Sequence, residues 1–210
     1  MALALQHEEG YKYTYRDYLN MPDDGNRWEI IDGVPYMMAA PNTQHQRIST
    51  KVLTRIAVFL EGKICQVFHA PYDVRLPIYN EENDEDVTNT VQPDISVFCN
   101  PSAIDEKGGR LPPDIAIEIL SPSSAKMDTI RKFKLYEKAG VKEYWIVDGA
   151  NKNIEVHLHD GYRFQPKELY CIGDTLNSTV LDDFSIELSD VFPDDDTVAY
   201  IVRTTEYDSE

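Results

Sequence analysis

The sequence predicts an α/β (α+β) fold, and three observations carry that prediction. Short runs rich in Ile and Val, such as Ile95-Ser96-Val97 and Ile115-Ala116-Ile117-Glu118-Ile119, are bounded by Pro and Ser and read as strands. Asp32-Gly33 between two apolar runs is a hairpin signal. Two stretches, opening near Asn42 and Ser124, repeat apolar residues at helical spacing. The chain of 210 residues is expected to form one domain, 1–210, with 42% hydrophobic and 27% charged residues, ordinary values for a globular protein.

Taken in order, Thr14 to Leu19 reads as a short helix, with Thr14 as its cap and Asp17 three residues on, ended by Pro22 to Gly25. Trp28 to Ile31 and Val34 to Met38 then form the hairpin. A longer helix runs from Pro41-Asn42-Thr43 to Gly62, with Ile48, Val52, Ile56, Phe59 and Leu60 on one stripe. Cys65 to Phe68 and Tyr72 to Leu76 are strands, and the acidic segment Tyr79 to Asn89 reads as a solvated, mobile hairpin tip. Pro101 to Pro113 is a polar loop between the strands that follow Pro93 and Pro113. The next helix is capped by Ser124 and stopped by Gly140, with Ile130, Phe133, Leu135, Tyr136 and Ala139 as its apolar side. Glu143 to Asp148, Ile154 to His159, Tyr162 to Phe164, Glu168 to Cys171 and Phe184 to Leu188 complete the sheet, and the tail beyond Pro193 is expected to fray.

Composition sets limits on function. No apolar run is long enough to cross a membrane, and Met1 to Gly10 lacks the basic start of a signal sequence. Cys65, Cys99 and Cys171 are odd in number and widely spaced, which argues against a disulfide framework and for a reducing cytoplasm. The net charge of −17 opposes nucleic-acid binding, which ordinarily leaves a basic footprint. Much of that charge is segregated: Glu81 to Asp86 holds five acids, and Asp190 to Glu210 holds seven against one Arg. Ser123 to Lys142, by contrast, carries six Lys/Arg against Asp128 and Glu137.

Several side chains stand out against their neighbours. Glu118 lies inside an apolar strand, where a lone charge is costly unless it is paired or bound to a metal. Asp94 opens its strand after Pro93, and two acids on two strand ends can share a cleft and hold a divalent cation. A turn Asp and a salt-bridged Glu are the plainer reading of the pair. Lys132 falls within the apolar arc of its helix and aims toward the sheet that carries Glu118; a simple pair with Asp128 would also account for it. His45 points inward from the first turn of its helix, as a core histidine would. Alternation sets Glu29 opposite Trp28 and Ile30, consistent with an exposed strand acid. His157 and His159 share one strand face, a pattern that can bind metal but is more simply a solvated face.

These residues together resemble a known family. Trp28-Glu29-Ile30-Ile31-Asp32-Gly33, Gln44-His45, Gln92-Pro93-Asp94 and Glu118 to Ser123 occur in the order seen in the Uma-type family of "putative restriction endonucleases", formerly a domain of unknown function. Lys132-x-x-Leu135-Tyr136 and Gly140-Val141-x-Glu143-Tyr144-Trp145-x-Val147-Asp148 fit the same pattern. The resemblance runs from about Tyr13 to Phe192, and the family belongs to the PD-(D/E)XK nuclease superfamily.

The resemblance implies a restriction-endonuclease-like core: a mixed central sheet flanked by helices, with extra antiparallel strands. It implies a Mg²⁺-dependent endonuclease (Mn²⁺ an alternative ion) acting on nucleic acid, DNA foremost, as a homodimer. Asp94, Glu118 and the Ile119 carbonyl would hold the metal, and Glu29 would be the acid of the first core element. Leu120 stands where the superfamily's Lys usually does, and Lys132 on the following helix would replace it. His45 matches a recurring position to which no role is assigned. The main alternative is a catalytically silent member that serves as an interaction or oligomerisation module; a carboxylate-pair acid/base enzyme and a plain structural protein are further readings.

Overall fold

The computed structural model describes residues 10–22, 25–79, 83–122 and 124–192. The N-terminal segment, the middle of the Pro22–Gly25 turn, part of the acidic segment from Tyr79 to Asn89 and the tail beyond Phe192 therefore fall outside the described residues.

Thr14 opens α1 (Tyr15–Leu19) with the expected reciprocal cap: its side chain accepts from the Asp17 N–H while the Asp17 carboxylate accepts from the Thr14 N–H. The hairpin follows as β1 (Arg27–Ile31) and β2 (Val34–Met38), turning on Asp32 and Gly33, both at positive φ. Asn42 caps α2 (Thr43–Leu60), whose buried stripe is Ile48, Val52, Ile56 and Leu60, with Phe59 partly buried beside it.

Short strands come next: β3 (Gln66–His69), β4 (Val74–Arg75), β5 (Thr90–Val91), β6 (Ile95–Phe98), β7 (Ile104–Asp105), β8 (Gly108–Gly109) and β9 (Ile115–Ile119). A wide helical turn of π type, Met127–Lys132, leads into α3 (Phe133–Ala139), which Gly140 ends in the left-handed conformation. The remaining elements are β10 (Glu143–Asp148), β11 (Asn153–Leu158), β12 (Glu168–Cys171), β13 (Thr175–Asn177), β14 (Ser185–Glu187) and α4 (Leu188–Val191).

The strands sort into two mixed sheets and a small pair. The central sheet runs β12-β11-β10-β9-β6-β3, with β9 and β10 parallel and every other pair antiparallel. The second sheet runs β2-β1-β5-β4-β8-β7. The last predicted strand does not extend the central sheet: among the described residues β14 pairs only with β13, a strand missed in the sequence because it spans just three residues.

Alternation along β9 organises the layers. Ile115, Ile117 and Ile119 face α2 together with Trp145 and Val147, and α4 and the small sheet close that side. Ala116 packs on the other face with Tyr144, Ile146 and the α3 residues Leu135 and Tyr136, against Ile31, Val74 and Val91 of the second sheet. Burying each large apolar side chain here contributes roughly 1.5–3 kcal/mol. Both faces of β9 are thus covered, as its parallel pairing with β10 requires. Glu118 shares the Ala116 face and so looks toward the helix that brings Lys132.

Four expectations need correction. Cys65 and Cys99 form a disulfide, because the Gln66↔Phe98 register, continued one step, sets them opposite each other; strand pairing decides this, and spacing in the sequence does not reveal it. The cysteine argument for a reducing compartment lapses with it. His157 is packed rather than solvated, its ring against those of Phe133, Tyr144 and Phe164, while His159 Nε2 lies 3.0 Å from the Glu137 carbonyl. Within the acidic segment, Asp84 pairs with the buried Arg75, and Glu85 and Asp86 pair with Arg16, so its described part is docked. Ile130 is 47% exposed, because lying two residues before Lys132 carries it to the opposite side of the wide turn.

A candidate acidic cleft around Lys132

The site lies where the chain crosses between the two large sheets. β5 belongs to the second sheet and β6 to the central one, and Gln92-Pro93-Asp94 makes the passage. The Ile95↔Ile117 register of β6 and β9, continued by one residue, sets Asp94 directly across from Glu118. Directly opposed residues of antiparallel strands project to the same face about 4.5–5.5 Å apart. The hairpin supplies Glu29, the first turn of α2 supplies His45, and the wide turn before α3 supplies Asp128 and Lys132.

Lys132 is the hub. Its Nζ lies 2.8 Å from Glu29 Oε1, 2.9 Å from Glu118 Oε1 and 3.8 Å from Asp128 Oδ1, with all four side chains buried. Tyr136, one turn on, donates to Glu118 Oε1 at 2.7 Å. The Gln92 N–H donates to Glu29 Oε1 at 2.7 Å. Asp94 Oδ2 accepts from the Ile119 N–H at 2.8 Å and lies 3.0 Å from His45 Nε2, while His45 Nδ1 is buried without a hydrogen-bond partner. Arg27 stands at the lip, its guanidinium donating twice to Gln92 Oε1 at 2.9 and 2.6 Å.

These groups line a cavity of about 180 Å³, open to solvent, with Tyr36, Met37 and Met38 of the hairpin as one wall. All six residues singled out in the sequence — Glu29, His45, Asp94, Glu118, Ile119 and Lys132 — reach it. Glu29 overturns the expectation of an exposed strand acid: the second sheet packs face to face against α3, so both faces of β1 are covered here. The sequence also underweighted Asp128 and Tyr136. Both lie on the same helix arc as Lys132, and that shared arc is the signal that would have found them.

The electrostatics follow from burial and crowding. Burial raises Glu118 well above the carboxylate range; the Lys132 ammonium opposes this, and Asp128, Asp94 and Glu29 reinforce it. Burial alone would lower Lys132, yet Glu118, Glu29 and Asp128 hold it well above its ordinary value, so it stays charged. Three carboxylates surround the ammonium and Asp94 shares the cavity with them, an excess of acids that a divalent cation would relieve. Asp94 Oδ1 and Glu118 Oε2 take part in none of the hydrogen bonds described, which leaves them free to bind.

Among the described residues, no three His, Cys, Asp or Glu side chains form an ion cage by themselves. Two carboxylates and the main-chain carbonyl of Ile119 are hard oxygen donors. They suit an ion such as Mg²⁺, which completes its shell with water and substrate phosphate.

Asp128 gives the cleft a pH signature. Burial pushes its pKa from 3.8 up to about 6, with Lys132 opposing the shift. Between those values the folded chain keeps a proton that the unfolded chain has released. The stability from neutral Asp128 is therefore complete below 3.8 and is lost as pH rises through about 6. In chelator, Asp128→Asn should remove this loss. The difference in urea unfolding free energy between variant and wild type should grow in the variant's favour by on the order of 3 kcal/mol across that interval. A difference that stays flat with pH would show that Asp128 does not titrate as described.

Comparison with known proteins bears on this arrangement. The family model Uma2, described as "Putative restriction endonuclease", matches residues 15–189, most of the chain. An uncharacterized protein of Synechocystis, slr1290, is 27% identical over 150 residues, covering 70% of this chain and 74% of that one. A crystal structure described as "a putative nuclease belonging to DUF820" from Anabaena variabilis superposes with a TM-score of 0.69 at 20% identity, covering 85% of this chain and 97% of the other. That likeness speaks for the fold.

Proposed function

Because this chain belongs to the Uma2 family of restriction-endonuclease-like proteins, we propose that it hydrolyses phosphodiester bonds of nucleic acid, DNA foremost, in a reaction that depends on a divalent metal. The observation that carries this reading is the buried ammonium of Lys132 held between Glu29 and Glu118, with Asp94 across the strand pair at the floor of an open cleft. Asp94, Glu118 and the Ile119 carbonyl would hold Mg²⁺ or Mn²⁺. When bound, such an ion supplies a Lewis acid for charge that builds on a scissile phosphate.

The chain's own groups do the rest. Lys132, kept cationic by three acids, presents a fixed positive charge where negative charge develops. Glu29 and Tyr136 fix the position of that ammonium and of the Glu118 carboxylate. His45 holds Asp94 through Oδ2, a positioning role that would leave Oδ1 for the metal. Cutting both strands of a duplex calls for two such clefts, so a homodimer is the proposed working form.

Calorimetric titration of Mg²⁺ and Mn²⁺ tests the metal assignment, with Asp94→Ala alongside and with duplex DNA present or absent. Binding to the wild type that weakens at least about tenfold in the variant would support the cleft as the metal site. No binding to the wild type under either condition would replace this reading with that of a non-catalytic interaction module.

A further inference from the structure

The acidic cleft continues into a second, differently charged groove. Tyr36 lines both: on one side it faces the cleft, and on the other it borders a groove of about 200 Å³ between the hairpin and α3. Arg131, Lys134 and Lys138 line that groove. All three are exposed, and none enters an ion pair among the described residues. Arg131 lies over the Tyr36 ring, 4.7 Å from its centroid, and donates to its hydroxyl.

This concentration of unpaired cations runs against the composition. The chain has 37 acidic side chains for 20 basic ones, so a basic residue has many available partners. Lys134 and Lys138 instead sit one turn apart, where like charges weaken a helix. Asp32, the one acid among the described residues that line the groove, already accepts from the Tyr79 hydroxyl at 2.9 Å. Val34 and Ile130 are exposed along the same groove, and Met37 is exposed at the cleft wall. A row of cations with apolar surface beside it matches the alternating phosphates and sugars of a nucleic-acid backbone.

We propose that this groove carries the phosphodiester backbone as it leaves the cleft, with Arg131, Lys134 and Lys138 each meeting a phosphate. The inference rests on the nuclease reading for the identity of the occupant and on charge complementarity and continuity through Tyr36 for its path. It also resolves the objection raised by a net charge of −17: the footprint required is local, and it lies beside the chemistry.

The test is the salt dependence of binding to a fluorescently labelled DNA duplex, read by anisotropy in EDTA so that no cleavage intervenes. Wild type is compared with Lys134→Gln/Lys138→Gln and with Arg55→Gln/Lys63→Gln, which removes two charges from α2 and the turn after it, on the opposite face of the central sheet. The first double variant should flatten the slope of log K against log salt by about 2 and weaken low-salt binding at least roughly tenfold, while the second should match wild type.

An unchanged slope in the first variant, equal losses in both variants, or no binding of the duplex by the wild type would each overturn the proposal. Metal-dependent cleavage is measured separately. Its survival alongside an unchanged slope would leave the nuclease reading intact and refute the groove. A flattened slope without any cleavage would do the reverse.

Discussion

Glu118→Gln should abolish metal-dependent cleavage and leave the fold standing. Gln has the shape of Glu, and its amide oxygen can still accept from Tyr136. Lys132 keeps Glu29 and Asp128 as partners. What disappears is one anionic ligand of the proposed metal site. The expected cost is at least about 10³-fold in kcat/KM, equivalent to about 4 kcal/mol of transition-state stabilisation. Because burial already disfavours the charged form of Glu118, unfolding free energy in chelator should change by no more than about 1 kcal/mol. Single-turnover cleavage and urea unfolding on the same preparation decide it. Cleavage within a few-fold of wild type would remove Glu118 from the reaction, and a collapsed fold would show that its charge is structural.

Lys132→Met should have the opposite profile and be costly to the fold itself. The substitution keeps the stem and removes the charge, stranding Glu29, Glu118 and Asp128 in a buried site. Breaking a buried ion pair from one side costs about 3–5 kcal/mol. The sign of the pH dependence follows: without the ammonium, Glu118 and Asp128 rise further above their unfolded values. The variant then regains stability as they protonate at low pH and loses it as pH rises through their folded values. Combining Lys132→Met with Glu118→Gln should recover part of the loss, with a coupling of about 1–3 kcal/mol in a double-mutant cycle. Strict additivity would mean that the close approach of the two groups contributes nothing.

Much of this site was legible in the sequence, and most of what was not depends on tertiary packing. Lys132 and Glu118 were visible because each breaks a local pattern, a cation in an apolar arc and an acid in an apolar strand. Helices and the hairpin were legible for the same reason: capping Thr14 and Asn42, the Asp32-Gly33 turn and the Gly140 stop act within a few residues.

Most of the failures depend on residues distant in the chain. Glu29 reads as a surface acid until the second sheet is laid against α3. Cys65 and Cys99 look unrelated until β3 pairs with β6. His157 looks wet until Phe133 and Phe164 close over it. Asp128 looked like an ordinary partner for Lys132 four residues on, and only its burial among other acids reveals its unusual titration.

Among the described residues the two large sheets exchange no strand hydrogen bonds; they are separate surfaces brought face to face. Lys132 touches both, one wall through Glu29 and the other through Glu118. Beside the covalent passage at Gln92-Pro93-Asp94, the walls are thus tied by one ammonium head, which both carboxylates share. A ligand that draws Glu118 away from that head would slacken the tie to Glu29, so occupancy of the cleft and the spacing of its walls are linked through one side chain.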